Sequence, residues 1–308
     1  MPSSFVASLD GGSLVESRAV DAFGELAWLV GDGGVTDVFA NGEGEVWVDR
    51  GAGLVREPVL LDETALRALA VRLVSLGGRH VDEASPCVDV RLFDGIRVHV
   101  VLPPISRGTL VSIRIPSATR IAVTNPQLLS LVAARANLLI TGAGGSGKTT
   151  LLAALLSHAA PTERIVAIED VAELRVDHPH FVTLEARQAN LEGVGEVTLA
   201  RLLREALRMR PDRLVLGEVR GAEVRELLSA LNTGHDGGAG TLHANSLADV
   251  PARLEALGAL GGMSDRALAR QAVSAIGAVV HLARVDGVRS VEAIGRLGLG
   301  ADGRLVIS

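Results

Sequence analysis

Two kinds of hydrophobic patterning divide the chain. Up to about residue 120, apolar and polar residues alternate in the short runs VTDVFANG, EVWVDRG, IRVHVVL and LVSIRI, the period-two mark of half-buried strands. Helical spacing runs from Ala22 to Val30 and from Glu63 to Leu76. Residues 1–120 therefore read as an α+β domain, in which Pro103-Pro104 breaks one strand pairing. The stretch from Pro116 to Pro126 is rich in turn formers and puts a linker near residue 120.

From Asn137 the pattern changes. NLLIT, RIVAIED and RLVLGEV are nearly unbroken apolar runs separated by helical segments, as in a parallel sheet covered on both faces. Residues 121–308 thus read as an α/β domain. Its tail, AVVHLARVDGVRSVEAIGRLG and then ADGRLVIS, alternates around Asp-Gly turns and predicts hairpins.

Composition narrows the function. The 308 residues are 48% hydrophobic, enough to fill two cores, but only 2% aromatic with no Tyr, so few rings are available to stack on bases. A net charge of −6 removes the broad basic surface that phosphate-backbone binding requires, and no direct contact with nucleic acid is expected. Cys87, the one cysteine, excludes an internal disulfide and a thiolate metal cluster and reads as a small packed residue. No apolar run reaches the roughly 18 residues of a membrane span, and MPSSFVASLDGG has neither a basic nor an apolar leader pattern, so the chain reads as cytoplasmic.

Lysine occurs once, at Lys148, among 30 basic residues. A compact ammonium at the one position where the arginine habit stops marks a pocket that needs a point charge. Lys148 lies in Gly142-Ala143-Gly144-Gly145-Ser146-Gly147-Lys148-Thr149-Thr150, a G-x-x-x-x-G-K-[ST] phosphate loop between the strand LLI and the helix LLAALLSHAA. Its glycines let backbone N–H groups turn inward beside a helix N-terminus. Lys148 would reach the β- and γ-phosphates of a bound nucleotide, and the Thr149 hydroxyl would ligate Mg²⁺.

Acidic residues close the next apolar strands. Glu169 and Asp170 end RIVAIED, with Glu173 just after, where they can serve the metal and attacking water or simply cap a loop. Glu218 ends RLVLGEV and is the candidate to orient or deprotonate that water. His235 and His243 lie in NTGHDGGAGTLHANS, which is too Gly-rich for a helix and reads as one flexible loop. His243 is the better candidate for a γ-phosphate or water contact, and the pair lacks the companions of a zinc site. Arg91, Arg97 and Arg114 sit on predicted strands, either on a solvated face or as forks that reach phosphates.

The phosphate loop, IEDVAEL, ALRMRPDRLVLGEVRG and GHDGGAGTLHANS together resemble the Walker A, Asp box, Walker B and His box of the type II/type IV secretion ATPase superfamily. VTDVFANGEGEVWVDRGAGL, SPCVDVRLFDGIRVHVVLPP and VSIRIPS also resemble the N-terminal domain of its CpaF-like branch, the ATPases of tight-adherence pili. The resemblance implies a RecA-like P-loop NTPase domain with a smaller N-terminal α+β domain, assembled as a homohexamer. Mg-ATP would bind between the two domains, and hydrolysis at the inner face of the cell membrane would drive a membrane platform protein that assembles pilin or exports substrate. By motif position Lys148 and Thr149 fall on the Walker A pair, Glu169 on the Asp-box acid, Glu218 on the Walker B glutamate and His243 on the His-box histidine. Arg97 and Arg114 match arginines that contact nucleotide from the N-terminal domain, and Arg208 and Arg220 match arginines flanking Walker B. Measured against that branch, the expected departures are a missing long N-terminal extension, a short segment between VSIRIPS and the phosphate-loop strand, and a brief C-terminus. The competing expectations are the ATPase of a DNA-transfer type IV secretion system and a nucleotide-binding regulatory subunit with little turnover.

Overall fold

The computed structural model describes residues 3–4, 17–42, 44–51, 53–93, 95–116, 121–187, 194–285 and 288–308. The chain divides into two units, Leu9–Thr119 on one side and Met1–Ser8 with Arg120–Ser308 on the other. The expected linker near residue 120 and the Asp286-Gly287 turn fall outside the described residues.

A two-residue strand, β1 (Ser3–Ser4), belongs to the sheet of the larger unit. In the smaller unit α1 (Ser17–Asp21), a tight turn at Gly24–Leu26 and α2 (Ala27–Val30) replace the single helix expected from Ala22 to Val30. Gly24 has φ +56°, outside the right-handed helical range, and interrupts it. Strands β2 (Asp37–Ala40), β3 (Glu45–Asp49) and β4 (Leu54–Leu60) lead to helix α3 (Glu63–Leu76). Strands β5 (Cys87–Leu92), β6 (Ile96–Val101) and β7 (Leu110–Arg114) complete an antiparallel sheet of order β4-β3-β2-β7-β6-β5. Asp62 starts α3 by accepting the Ala65 N–H at 2.8 Å. The helix buries Leu66, Leu69, Ala70, Leu73 and Val74 in one core with Val38, Val48, Val98 and Ile113, at about 1.5–3 kcal/mol for each large side chain. Cys87 is exposed instead of packed, because the alternation along β5 turns its first position to solvent.

The larger unit runs through α4 (Pro126–Ala133), β8 (Leu138–Gly142), α5 (Lys148–Leu156), β9 (Ile165–Glu169), β10 (Phe181–Glu185), α6 (Leu199–Ala206), β11 (Arg213–Leu216), α7 (Val224–Leu231) and β12 (Ala239–His243). Helices α8 (Val250–Leu260) and α9 (Asp265–Ala275) precede β13 (Ala278–Val285), β14 (Val288–Gly295), β15 (Leu297–Leu299) and β16 (Leu305–Ile307). The main sheet has the order β1-β14-β13-β8-β12-β11-β9-β10 and is parallel from β13 to β10. Every residue of β8 and β9 is buried. On one face Leu139, Ile168 and Leu216 join the core of α6 to α9, and on the other Ile140, Ala167 and Val215 join that of α4 and α5. Burial on both faces is why these strands read as unbroken apolar runs.

Two features were not legible locally. The C-terminal hairpin β13–β14 is an extension of the main sheet, since β13 pairs parallel with β8. The expected flexible loop around His243 is instead strand β12, inserted between β8 and β11. Its small residues suit that place: a Cβ on Gly240 would already lie 3.4 Å from Leu227 and Val219. His235 is left at the far end of the strand, with Nδ1 3.2 Å from the Ala230 carbonyl. At the amino ends of the strands Glu163 binds Arg213 at 2.5 Å and Arg135 at 2.8 Å, with the Arg213 side chain 4% exposed. No helix among the described residues is long and apolar enough to cross a membrane.

Candidate nucleotide-binding site

The glycine loop joins β8 to α5. Gly145 at φ +70° and Gly147 at φ +93° take left-handed conformations, and a Cβ on Gly142 would lie 2.6 Å from both Ser146 Oγ and the Leu282 carbonyl oxygen. No side chain caps the start of α5, so its first N–H groups are left to another acceptor. Lys148 is buried, and Nζ donates to the carbonyls of Gly142 and Ala143, both at 2.9 Å. Burial lowers its pKa and the Glu218 carboxylate opposes that shift. Thr149 and Thr150 follow on the first turn, both half-buried. Ser146 Oγ is buried without a hydrogen-bond partner, an orphan that an anion would satisfy. Uncapped donors, an orphan hydroxyl and a buried ammonium fit a phosphate chain.

Gly142, Glu169 and His243 are the last residues of β8, β9 and β12, and Glu218 follows the end of β11, so all four meet at the carboxyl edge of the parallel sheet. Glu169 packs against Gly217, where a Cβ would come within 2.7 Å of its Cγ. Its Oε1 accepts the N–H groups of Glu173 and Leu174 at 2.9 and 3.0 Å, so this oxygen does cap the following loop. Glu218 is held from two sides. Its Oε1 lies 2.9 Å from His243 Nε2, and its Oε2 accepts from Arg220 Nε at 2.6 Å. Arg220 Nη1 reaches on to Asp170 at 3.1 Å. Burial and the Lys148 cation push the His243 pKa down, and Glu218 opposes them. The downward shift favours the neutral imidazole, whose Nε2 stands against the carboxylate.

Other sequence candidates are carried by other elements. Arg208 is exposed, pairs with Glu205 at 3.0 Å and touches none of these groups. Arg97 and Arg114 belong to the smaller unit, where Arg91, Arg97 and Arg114 stand in one cross-strand row over β5, β6 and β7. Arg114 Nε donates to Asp37 at 3.0 Å. Two further residues carried no motif. His281, 1% exposed, places Nδ1 2.8 Å from Thr141 Oγ1 directly before the loop, and its position inside the apolar run AVVHL was the signal available. Arg289 Nε donates to the Gly145 carbonyl at 3.1 Å, and nothing in the local sequence announces it.

Among the described residues no group of three or more His, Cys, Asp or Glu side chains is gathered to hold a metal ion. Mg²⁺ asks for less, since it keeps waters and phosphate oxygens and needs only one or two protein ligands. The Thr149 hydroxyl on the first turn of α5 and the carboxylates at the carboxyl ends of β9 and β11, Glu169 and Glu218, are oxygen donors of the kind Mg²⁺ takes. Glu169 Oε2 is buried without a protein hydrogen-bond partner.

The model of the family described as type II/IV secretion system protein matches residues 21–287. The putative conjugal transfer protein Rv3659c of Mycobacterium tuberculosis (strain ATCC 25618 / H37Rv) is 50% identical over 281 residues, covering 85% of this chain and 80% of that protein. The conjugal transfer protein TrbB of Rhizobium radiobacter is 33% identical over 258 residues, 77% of this chain and 76% of that one. The crystal structure of the pilus retraction motor PilT and bound ADP matches 92% of this chain and 80% of its own with a TM-score of 0.61 at 22% identity, a likeness of fold. The α/β P-loop ATPase fold expected from the sequence is therefore the observed one.

Proposed function

The chain belongs to the type II/IV secretion system protein family, and from that premise we propose that it is a motor that hydrolyses Mg-ATP to drive a pilus-assembly or secretion machine. The observation that carries this reading is a buried lysine in an uncapped glycine loop, at the same sheet edge as Glu218. Loop N–H groups, Ser146 and Thr150 bind the phosphates, and Lys148 exchanges its carbonyl partners for β- and γ-phosphate oxygens. Glu218 orients the attacking water and takes its proton, with His243 keeping one carboxylate oxygen aimed. Arg220 is close enough to Glu218 to trade that ion pair for the charge that develops on the terminal phosphate. Thr149, backed by Glu169 and Glu218, would hold Mg²⁺, which would supply neutralisation of the phosphate charge.

The working unit in this reading is a homohexamer, in which Arg97 and Arg114 reach nucleotide from the smaller unit. Arg208 would act only across a subunit boundary. The partner is an inner-membrane platform protein, and the place of work is the inner face of the cell membrane. Likeness of the N-terminal motifs to the CpaF-like branch favours a pilus or protein cargo. The names of two relatives, both conjugal transfer proteins, favour a second reading, the ATPase of a DNA-transfer type IV secretion system.

The first test is Mg-dependent ATP hydrolysis by the purified chain together with its mass in solution, beside Lys148→Ala and Glu218→Gln. Hexamers whose turnover both changes abolish support the motor. A monomer that binds ATP without turning it over, platform protein included, moves the reading to a regulatory subunit. For the cargo, a host strain carrying Glu218→Gln is scored for surface pili and for plasmid transfer, and the trait that disappears names the machine.

A further inference from the structure

The strand that leads into the glycine loop is flanked on both sides: β12 ends beside its last residue and β13 runs on past it. On one side His243 stands opposite Gly142, and on the other Leu282 of β13 does, with β14 next in the sheet. A Cβ on Gly144 would lie 3.7 Å from His243 Cε1, and one on Gly147 would lie 3.1 Å from Arg289 Cδ. The Arg289 stem thus crosses the residue that precedes α5, and its Nε donates to the Gly145 carbonyl at 3.1 Å. This leaves a half-buried guanidinium at the positive end of a helix, an unfavourable place for a cation unless an anion joins the two. Nothing acidic relieves it: burial and the like charge of Arg284, its cross-strand neighbour, both press its pKa down, and among the described residues it forms no ion pair.

We propose that Arg289 is a phosphate-binding residue of the nucleotide site, contributed by the C-terminal hairpin, and that its Nη groups contact a non-reacting phosphate of the bound nucleotide. The inference rests on the reading of the loop as a nucleotide site. Nε, engaged by Gly145, anchors the side chain, and the remaining donors of the fork suit a phosphate oxyanion. The assignment to a non-reacting phosphate follows from position. Glu218 and His243 mark the flank where the terminal phosphate is attacked, and Arg289 approaches from the opposite flank. A contact made alike in ground state and transition state changes affinity and not the chemical step.

The test compares the full chain with Arg289→Ala and Arg289→Lys, reading the Kd for Mg-ADP, kcat and KM for Mg-ATP, and Tm. For Arg289→Ala the Kd for Mg-ADP is expected to rise roughly tenfold, the scale of one charge-assisted hydrogen bond. The fall in kcat/KM for Mg-ATP is expected to be carried by KM, and Arg289→Lys should recover part of the loss at unchanged Tm. A Kd for Mg-ADP within about twofold of wild type in Arg289→Ala would overturn the proposal. So would a fall in kcat with KM unchanged, which would put the contact on the reacting phosphate, or a loss of affinity that follows a drop in Tm in both variants, which would make the role packing. Failure of the underlying reading looks different: the wild type itself would not bind Mg-ADP, and Lys148→Ala would change nothing.

Discussion

His243 Nε2 lies 2.9 Å from Glu218 Oε1, joining the carboxyl ends of two adjacent parallel strands, β12 and β11. The imidazole stands against one carboxylate oxygen, and Arg220 Nε donates to the other at 2.6 Å. Glu218→Gln keeps the shape and removes the proton acceptor. It should lower kcat by at least about 10²-fold with Mg-ADP affinity preserved, whereas Lys148→Ala should lose affinity as well. A coupled assay and a binding titration separate the two. Wild-type turnover in Glu218→Gln would shift the catalytic role to Glu169.

The neutral state of His243 sets the acid limb of activity. Burial, Lys148, Arg220 and Arg253 all push its pKa down against Glu218, so the imidazole stays neutral to below the ordinary value of about 6.5. Turnover should hold as pH falls to that value and decline below it, as His243 takes a proton and becomes a cation against the Glu218 carboxylate. In a pH-rate profile His243→Asn should lack this limb, and an identical limb in the variant would assign the titration to another group.

Ser146 should show a conflict between stability and binding. Its buried Oγ has no hydrogen-bond partner, and such a group costs about 1–3 kcal/mol. Ser146→Ala is expected to raise Tm while weakening Mg-ADP binding. A variant that loses stability instead would show that the hydroxyl is satisfied in solution.

Glu163 is a purely structural counterpart. It compensates Arg213, whose side chain is 4% exposed, and Arg135. Glu163→Ala leaves a buried guanidinium without its carboxylate and should destabilise the larger unit by about 3–5 kcal/mol, read by urea denaturation. The pair lies at the amino ends of the strands, away from the glycine loop, so Mg-ADP affinity measured on the folded fraction should be retained.

The residues from Gly142 to Thr150 and the acidic ends of β9 and β11 were legible in the sequence because their information is local. A phosphate loop needs glycines, one lysine and a hydroxyl at fixed spacing on one stretch of chain, and a strand buried on both faces must be apolar throughout. The tertiary structure decided what depends on partners distant in sequence. Gly24 splits a helix that hydrophobic spacing alone would continue, since periodicity carries no φ angle. AGTLH became β12 because a slot between β8 and β11 rewards small residues that by composition resemble a loop. His281 and Arg289 came to the glycine loop only through the pairing of β13 with β8, made by segments more than a hundred residues apart. Which strand lies beside which is chosen by the packing of the whole sheet, and no local pattern encodes it.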